Sequence, residues 1–252
     1  MRTRPQTPRG RYSAAMNLLS APFQVLPAAD WVALAVFFGG WVGYATFAKR
    51  RSAVQPSLLA LTNRERTRWM LQTTGRDNRV MDGVVVQNLS TSPSFFASTT
   101  ILIIGGLLAV LSTTEQISAL VREIPFAART SGLVFDLKIV LLTAIFVYAF
   151  FRFTWSLRQY TFGALLVAAA PPPESFKDEA RRQAFAGRAG RVMGLAAETF
   201  NAGLRAYYMS VAAVGWFFSP WAFMAGTAGV LWILYRREFH SEVLAVLAEQ
   251  GD

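Results

Sequence analysis

Apolar residues gather along this chain into four blocks, 31–48, 95–111, 133–151 and 206–235, separated by polar, basic connections. An α-helix rises about 1.5 Å per residue, and a bilayer core of about 30 Å needs roughly 20 apolar residues. The blocks therefore predict transmembrane helices over about 31–48, 94–111, 133–151 and 206–235. The last block is longer than one crossing needs and has Ser219-Pro220 near its middle. It reads as one kinked, tilted helix, since each arm of a hairpin confined to it would hold only about 14 residues, too few to cross alone.

The polar connections carry a second pattern. In 49–92, Leu58, Leu59, Leu61, Trp69, Met70 and Leu71 alternate with Arg64, Arg66 and Arg68, which predicts an amphipathic surface helix. Pro93 fits the start of the second span. Between 152 and 205, three prolines at 171–173 mark a break. Phe185, Ala189, Val192, Ala196 and Phe200 then recur at helical spacing, with Arg181, Arg182, Arg188 and Arg191 on other faces. Asp30 stands where an N-cap of the first span would be. The fold class expected is all-α: a polytopic helical membrane protein with four spans and amphipathic surface helices in two large cytoplasmic connections. Residues 1–27 form an irregular basic tail, 28–241 the membrane domain and 242–252 a C-terminal tail. The first 20 residues lack the apolar run of a cleaved signal peptide, so the first span is expected to stay.

Charge sets the orientation. Of 25 Lys and Arg, the connections 49–92 and 152–205 hold eight each, 112–131 holds two, the N-terminal tail four and the C-terminal tail two, against a formal net charge of +10. With four spans, the Lys/Arg bias puts the large connections in the cytoplasm and both termini outside, in the periplasm of a bacterial inner membrane. Arg and Ala richness points to a bacterium of high genomic GC content. Nucleic acid is not an expected partner, because no nucleic-acid motif accompanies the basic charge. The chain has no Cys, and its one His is His240. Thiolate sites and multi-His metal centres are thus excluded within one chain, and no cofactor is expected.

The candidate chemistry is sparse. Arg76, Asp77, Arg79 and Asp82 form a charged patch before the second span, and Arg158 closes the third. Glu198, Asn201 and Arg205 fall on one helix face. These residues are expected to meet in one cytoplasmic polar cluster, either a structural salt-bridge network or a site for an anion or a lipid headgroup. Asp136 and Lys138 are intramembrane charges that point to different helix faces and suit an interfacial or interhelical pair, with an ion pathway as the alternative. Ser94, Phe95, Phe96 and Ser98 open the second span and serve either packing or, in an oligomer, a pore constriction. Gly39 and Gly43 form a small-residue spacing for close helix contact, with Gly105/Ala109 and Ala222/Gly226 as looser versions. No phosphate-binding loop, nucleophile elbow or His-Glu-x-x-His motif is present.

Several runs resemble the DUF599 family of uncharacterised integral membrane proteins. They are Arg76-Asp77-Asn78-Arg79 leading to Asn88-Leu89 and 94–100, then 153–160, 201–208 and 234–239. The resemblance covers about residues 30–241 and implies no activity. The function expected is a non-enzymatic interaction, accessory or self-assembling subunit of a membrane complex, because the spans carry few polar groups at the midplane. The partners expected are the bilayer with its anionic headgroups, and other membrane chains or copies of this one. The alternative is a homo-oligomeric channel or carrier for small anions, drawn by the basic surface. A lipid-acting enzyme with Asp77, Asp82 and Glu198 as its acids is a minor alternative.

Overall fold

A computed structural model describes residues 26–52, 54–113 and 131–249, all helical or connecting turns among those residues. Helix α1 is Ala28–Arg51, with Asp30 in its first turn and Lys49, Arg50 and Arg51 in its last, charges that complement the helix dipole at both ends. Helix α2, Leu58–Thr73, is capped by Ser57, whose hydroxyl accepts from the Ala60 amide at 3.2 Å. Helix α3 is Val80–Ser112. Helix α4 is Gly132–Ala168, capped by Ser131. Helix α5 is Glu179–Val214, capped by Asp178, which accepts from the Arg181 amide at 2.7 Å. Helix α6, Pro220–Phe239, is capped by Ser219 with a proline in its first turn. Helix α7, Glu242–Glu249, falls where a tail was expected and sets Leu244 into the fold.

Two expectations about spans are corrected. First, 206–235 is not one kinked helix. Helix α5 ends at Val214, a 3-10 turn covers Gly215–Phe217, and α6 runs back along α5. Trp216 stacks on Phe223 at 5.5 Å, and Gly226 lies 3.4 Å (from the position of a Cβ) from the Ala212 Cα. Further along, the Arg237 guanidinium donates to the Tyr208 hydroxyl. The hairpin's arms are longer than the apolar block allows for: the first begins far outside it, at Glu179, and the second is 20 residues long. Second, Pro93 lies inside α3, which begins at Val80. A proline removes one ladder hydrogen bond, and the ring here is fully buried.

Contacts fix the directions. Phe37 meets Phe223, and Phe47 meets Tyr235 and Phe239, so α1 and α6 run parallel. Phe96 stacks on Phe153 at 5.3 Å, and Phe153 fills the space over Gly203; α4 thus runs opposite to both α3 and α5. Residues 28 and 239 therefore lie at opposite ends of the bundle, where the expectation of four spans put the two ends of the membrane domain on one side. The hairpin adds a helix to the four expected.

Helices α3, α4 and α5 contain 33, 37 and 36 residues, roughly 50–55 Å each, well over a bilayer core. Their excess lies at the end rich in Arg. Two cores result. One joins Phe37, Ile145, Phe153, Met209, Trp216 and Phe223. The other, under α2, joins Met70, Val86, Tyr160, Val167, Ala189 and Met193. Helix α2 lies antiparallel on α5, where Gly190 and Gly194 admit it: a Cβ on Gly190 would come within 2.8 Å of the Thr67 Cα.

Candidate functional site

The charged residues expected to form one cluster form two. The first is built where α2 hands over to α3. Asp82 sits in the first turn of α3 and is fully buried. Its Oδ1 accepts from Trp69 Nε1 at 2.7 Å, from the Thr73 hydroxyl at 3.1 Å and from the Arg76 guanidinium. Arg79 reaches the other way: its guanidinium donates to the carbonyls of Thr73, Ala170 and Pro171, the last at 2.8 Å, fastening this corner to the end of α4. Asp77 is exposed. Arg182, placed by periodicity on an outer face, instead donates to the Thr74 hydroxyl at 2.8 Å and to the Leu71 carbonyl, satisfying the end of α2. This knot ties α2, α3 and the end of α4 together through Asp82 and Arg79.

The second group lies about 15 Å along α2, ten residues nearer its start. Here Asn63 donates to Glu198 at 3.3 Å and accepts from Arg66 at 2.7 Å. Burial pushes the Arg66 guanidinium below its ordinary value, opposed by the neighbouring Tyr160 and Glu198. Glu238 of α6 accepts from the Leu59 amide at 3.4 Å, serving the open N-terminus of α2. Beside these groups a cleft of about 300 Å³ opens between α1, α4, α5 and α6, lined by Lys49, Arg152, Glu198, Arg205 and Glu238 among others. A smaller recess holding Tyr44, Asn201, Tyr208 and Arg237 adjoins it through Arg205 and Glu238. Glu198 lines the cleft and Asn201 the adjoining recess, and Arg205 of the same helix face lines both. The antiparallel run of α2 on α5 keeps Arg79 and Asp82 apart from them, and Arg158 is exposed with its guanidinium over the Phe162 ring.

Sequence reasoning missed Lys49, Arg152 and Glu238 as members of the cleft. They lie on three different helices, and only the parallel pairing of α1 with α6 gathers them. It also missed the opposite end, where buried Asp30 accepts from Trp216 Nε1 and Lys138 lies over the rings of Trp216 and Phe217 at 5.5 and 5.7 Å. Asp30 is therefore a buried partner of the hairpin turn, and Pro27 holds the N-cap position. Lys138 points inward, while Asp136 lines an outer groove beside Trp31 and Leu137.

The remaining candidates divide by face. Phe96 packs on Phe153, Phe200 and Tyr207 inside the bundle, whereas Ser94, Phe95 and Ser98 are exposed on the outer face of α3. A Cβ on Gly39, Gly43 or Gly105 would meet nothing within 4 Å, while one on Gly40 would meet Leu231 at 2.8 Å. Gly40 is the close contact of α1 within the chain, and Gly39 and Gly43 face away from it.

Three helices, α1, α3 and α4, are long and apolar enough to cross a bilayer, and with the hairpin packed against them the molecule is a polytopic helical membrane protein. A family model, DUF599, a protein of unknown function, matches residues 32–243. The chain belongs to that family. No curated protein and no solved structure matches it.

Proposed function

We propose that this protein is a self-assembling, non-enzymatic subunit of a membrane complex, with the outer face of α3 as a contact surface between copies. The exposure of that face carries the reading. Gln87, Asn88, Thr91, Ser94, Ser98 and Gly105 are all exposed along it, while α3 packs inward through Phe96 and Thr100, whose hydroxyl pairs with Tyr207 at 2.6 Å. Small residues let helix backbones approach closely in lipid, and amides and hydroxyls add interhelical hydrogen bonds there. Gly39 and Gly43, open on α1, supply a second surface of the same kind.

The setting proposed is a bacterial inner membrane with the Arg-rich layer in the cytoplasm. The hairpin strengthens this orientation, because Arg236 and Arg237 join the sixteen Lys and Arg of the two large connections, against six in 1–27 and 112–131. The N-terminus then lies in the periplasm and the C-terminus in the cytoplasm. An anion channel remains the second reading on one observation: Phe95 is 65% exposed between Ser94 and Ser98, and in a ring of copies joined through α3 it would face the axis.

Extraction into native-like lipid particles followed by mass determination tests the proposal. Assemblies of several copies are expected, and Ser98→Leu with Gly105→Leu should shift them toward monomer. A wild-type monomer, or assemblies untouched by the double substitution, would refute contact through α3. Anion flux through reconstituted assemblies, lost in Phe95→Ala, would favour the channel.

A further inference from the structure

We propose that the cleft between α1, α4, α5 and α6 binds a phosphate group through Lys49, Arg152 and Arg205. Three cations from three helices line a space of about 300 Å³, the size of a small-ligand pocket. Its two carboxylates are engaged with α2: Glu238 accepts from the Leu59 amide and Glu198 from Asn63. Among the described residues no carboxylate lies within 4 Å of Lys49, Arg152 or Arg205. Arg152 Nε is buried without a hydrogen-bond partner, and its guanidinium rests 5.9 Å from the Tyr148 ring centre. Arg205 is placed over the Tyr44 ring at 5.8 Å, with its donors uncommitted. A buried donor without an acceptor is costly, and a guanidinium fork matches phosphate oxygens in pairs. Two stacked arginines without a hydrogen-bonded or charged partner among the described residues share the cleft with a lysine, and together they match the oxygens of one phosphate group.

Depth favours a phosphate that belongs to a lipid. On α1, Lys49 stands nineteen residues beyond Asp30, roughly 28 Å along the axis. Asp30 with Trp216 and Lys138 marks the opposite end of the bundle, so the cleft sits one bilayer thickness away, at headgroup level. A free phosphate or phosphate ester arriving from the aqueous side offers the same oxygens.

The test uses the full chain in lipid particles of phosphatidylcholine alone or mixed with phosphatidylglycerol, and separately a titration with inorganic phosphate. Native mass spectrometry should show phosphatidylglycerol retained about tenfold over phosphatidylcholine, a difference that corresponds to about 1.4 kcal/mol. Arg152→Gln with Arg205→Gln should abolish the preference, while Arg181→Gln, on an exposed side chain, keeps it. In the unaltered protein, phenylglyoxal should label Arg152 and Arg205 more slowly when phosphatidylglycerol is present, a readout that needs no variant to fold. Retention of lipid without an effect of inorganic phosphate assigns the site to headgroups. Protection of both arginines by inorganic phosphate alone assigns it to soluble phosphate. No preference and no protection by either probe, or a preference undiminished in the double variant, would overturn the proposal.

Discussion

Asp77 and Asp82 lie five residues apart in the same charged patch, yet replacing them should have very unequal consequences. Asp82→Ala removes the acceptor shared by Trp69, Thr73 and Arg76. A neutral hydrogen bond contributes about 1 kcal/mol and a charged one about 1.5–3, and breaking a buried ion pair costs about 3–5 kcal/mol. The Arg76 side chain is 41% exposed, so its guanidinium regains water and the pair sits below that range. The sum worked from these terms is a loss of about 3 kcal/mol, roughly 6–12 °C in midpoint for a chain of this size. Asp82→Asn keeps an acceptor for Trp69 and Thr73 and should lose about half as much. Asp77→Ala, which removes an exposed carboxylate with no partner among the described residues, should stay within about 0.5 kcal/mol of wild type. Thermal unfolding of the three variants in one detergent, followed by circular dichroism, measures the differences. An Asp82→Ala midpoint equal to that of Asp77→Ala would refute the buried knot and with it the docking of α2 against the start of α3.

Gly190→Leu should push α2 off α5, because a side chain there meets the Thr67 backbone, and limited proteolysis should then cut between residues 52 and 79 where wild type resists. Trp216→Phe leaves buried Asp30 without its donor and should cost about 1–3 kcal/mol in the same unfolding assay; an unchanged midpoint would mean that water reaches this carboxylate. In detergent free of lipid and phosphate, Arg205→Ala should cost less than about 1 kcal/mol, because the guanidinium makes a ring contact and no ion pair among the described residues; a loss several times larger under those conditions would show a protein partner for Arg205. Single cysteines at Asp77, Lys177 and His240 should react with an impermeant thiol reagent from one side of the membrane and a cysteine at Ser118 from the other; labelling of 118 and 240 together would contradict the proposed orientation.

The periodicity of the sequence made the helical class legible, and the apolar blocks located α1, the membrane half of α3 and the first half of α4. What it left out follows from physics that periodicity does not carry. The hairpin hid because Glu179–Val214 mixes a surface face with a membrane face, so its apolar part merged with that of α6. Ser219 and Pro220 were visible, and together they are an N-cap followed by a first-turn proline, a start signal as readily as a kink. The small-residue run at Ala186, Gly190 and Gly194 was the available sign that another helix docks on α5. At the sites, residues on one helix were legible: Glu198, Asn201 and Arg205 line the cleft and its adjoining recess. Residues gathered across helices were not, because bringing Lys49 and Arg152 into one cleft with Glu238 depends on the parallel packing of α1 on α6. Gly39 and Gly43 show the same limit: their spacing is a contact motif, but only packing reveals that Gly40 serves the chain's own interior and the other two face outward.

Self-assembly is most directly tested by the mass of the particle released from its native membrane without conventional detergent. A multiple of the 27.8 kDa chain is expected, reduced to a single copy by Ser98→Leu with Gly105→Leu. A wild-type particle holding one 27.8 kDa chain and lipid alone would contradict it.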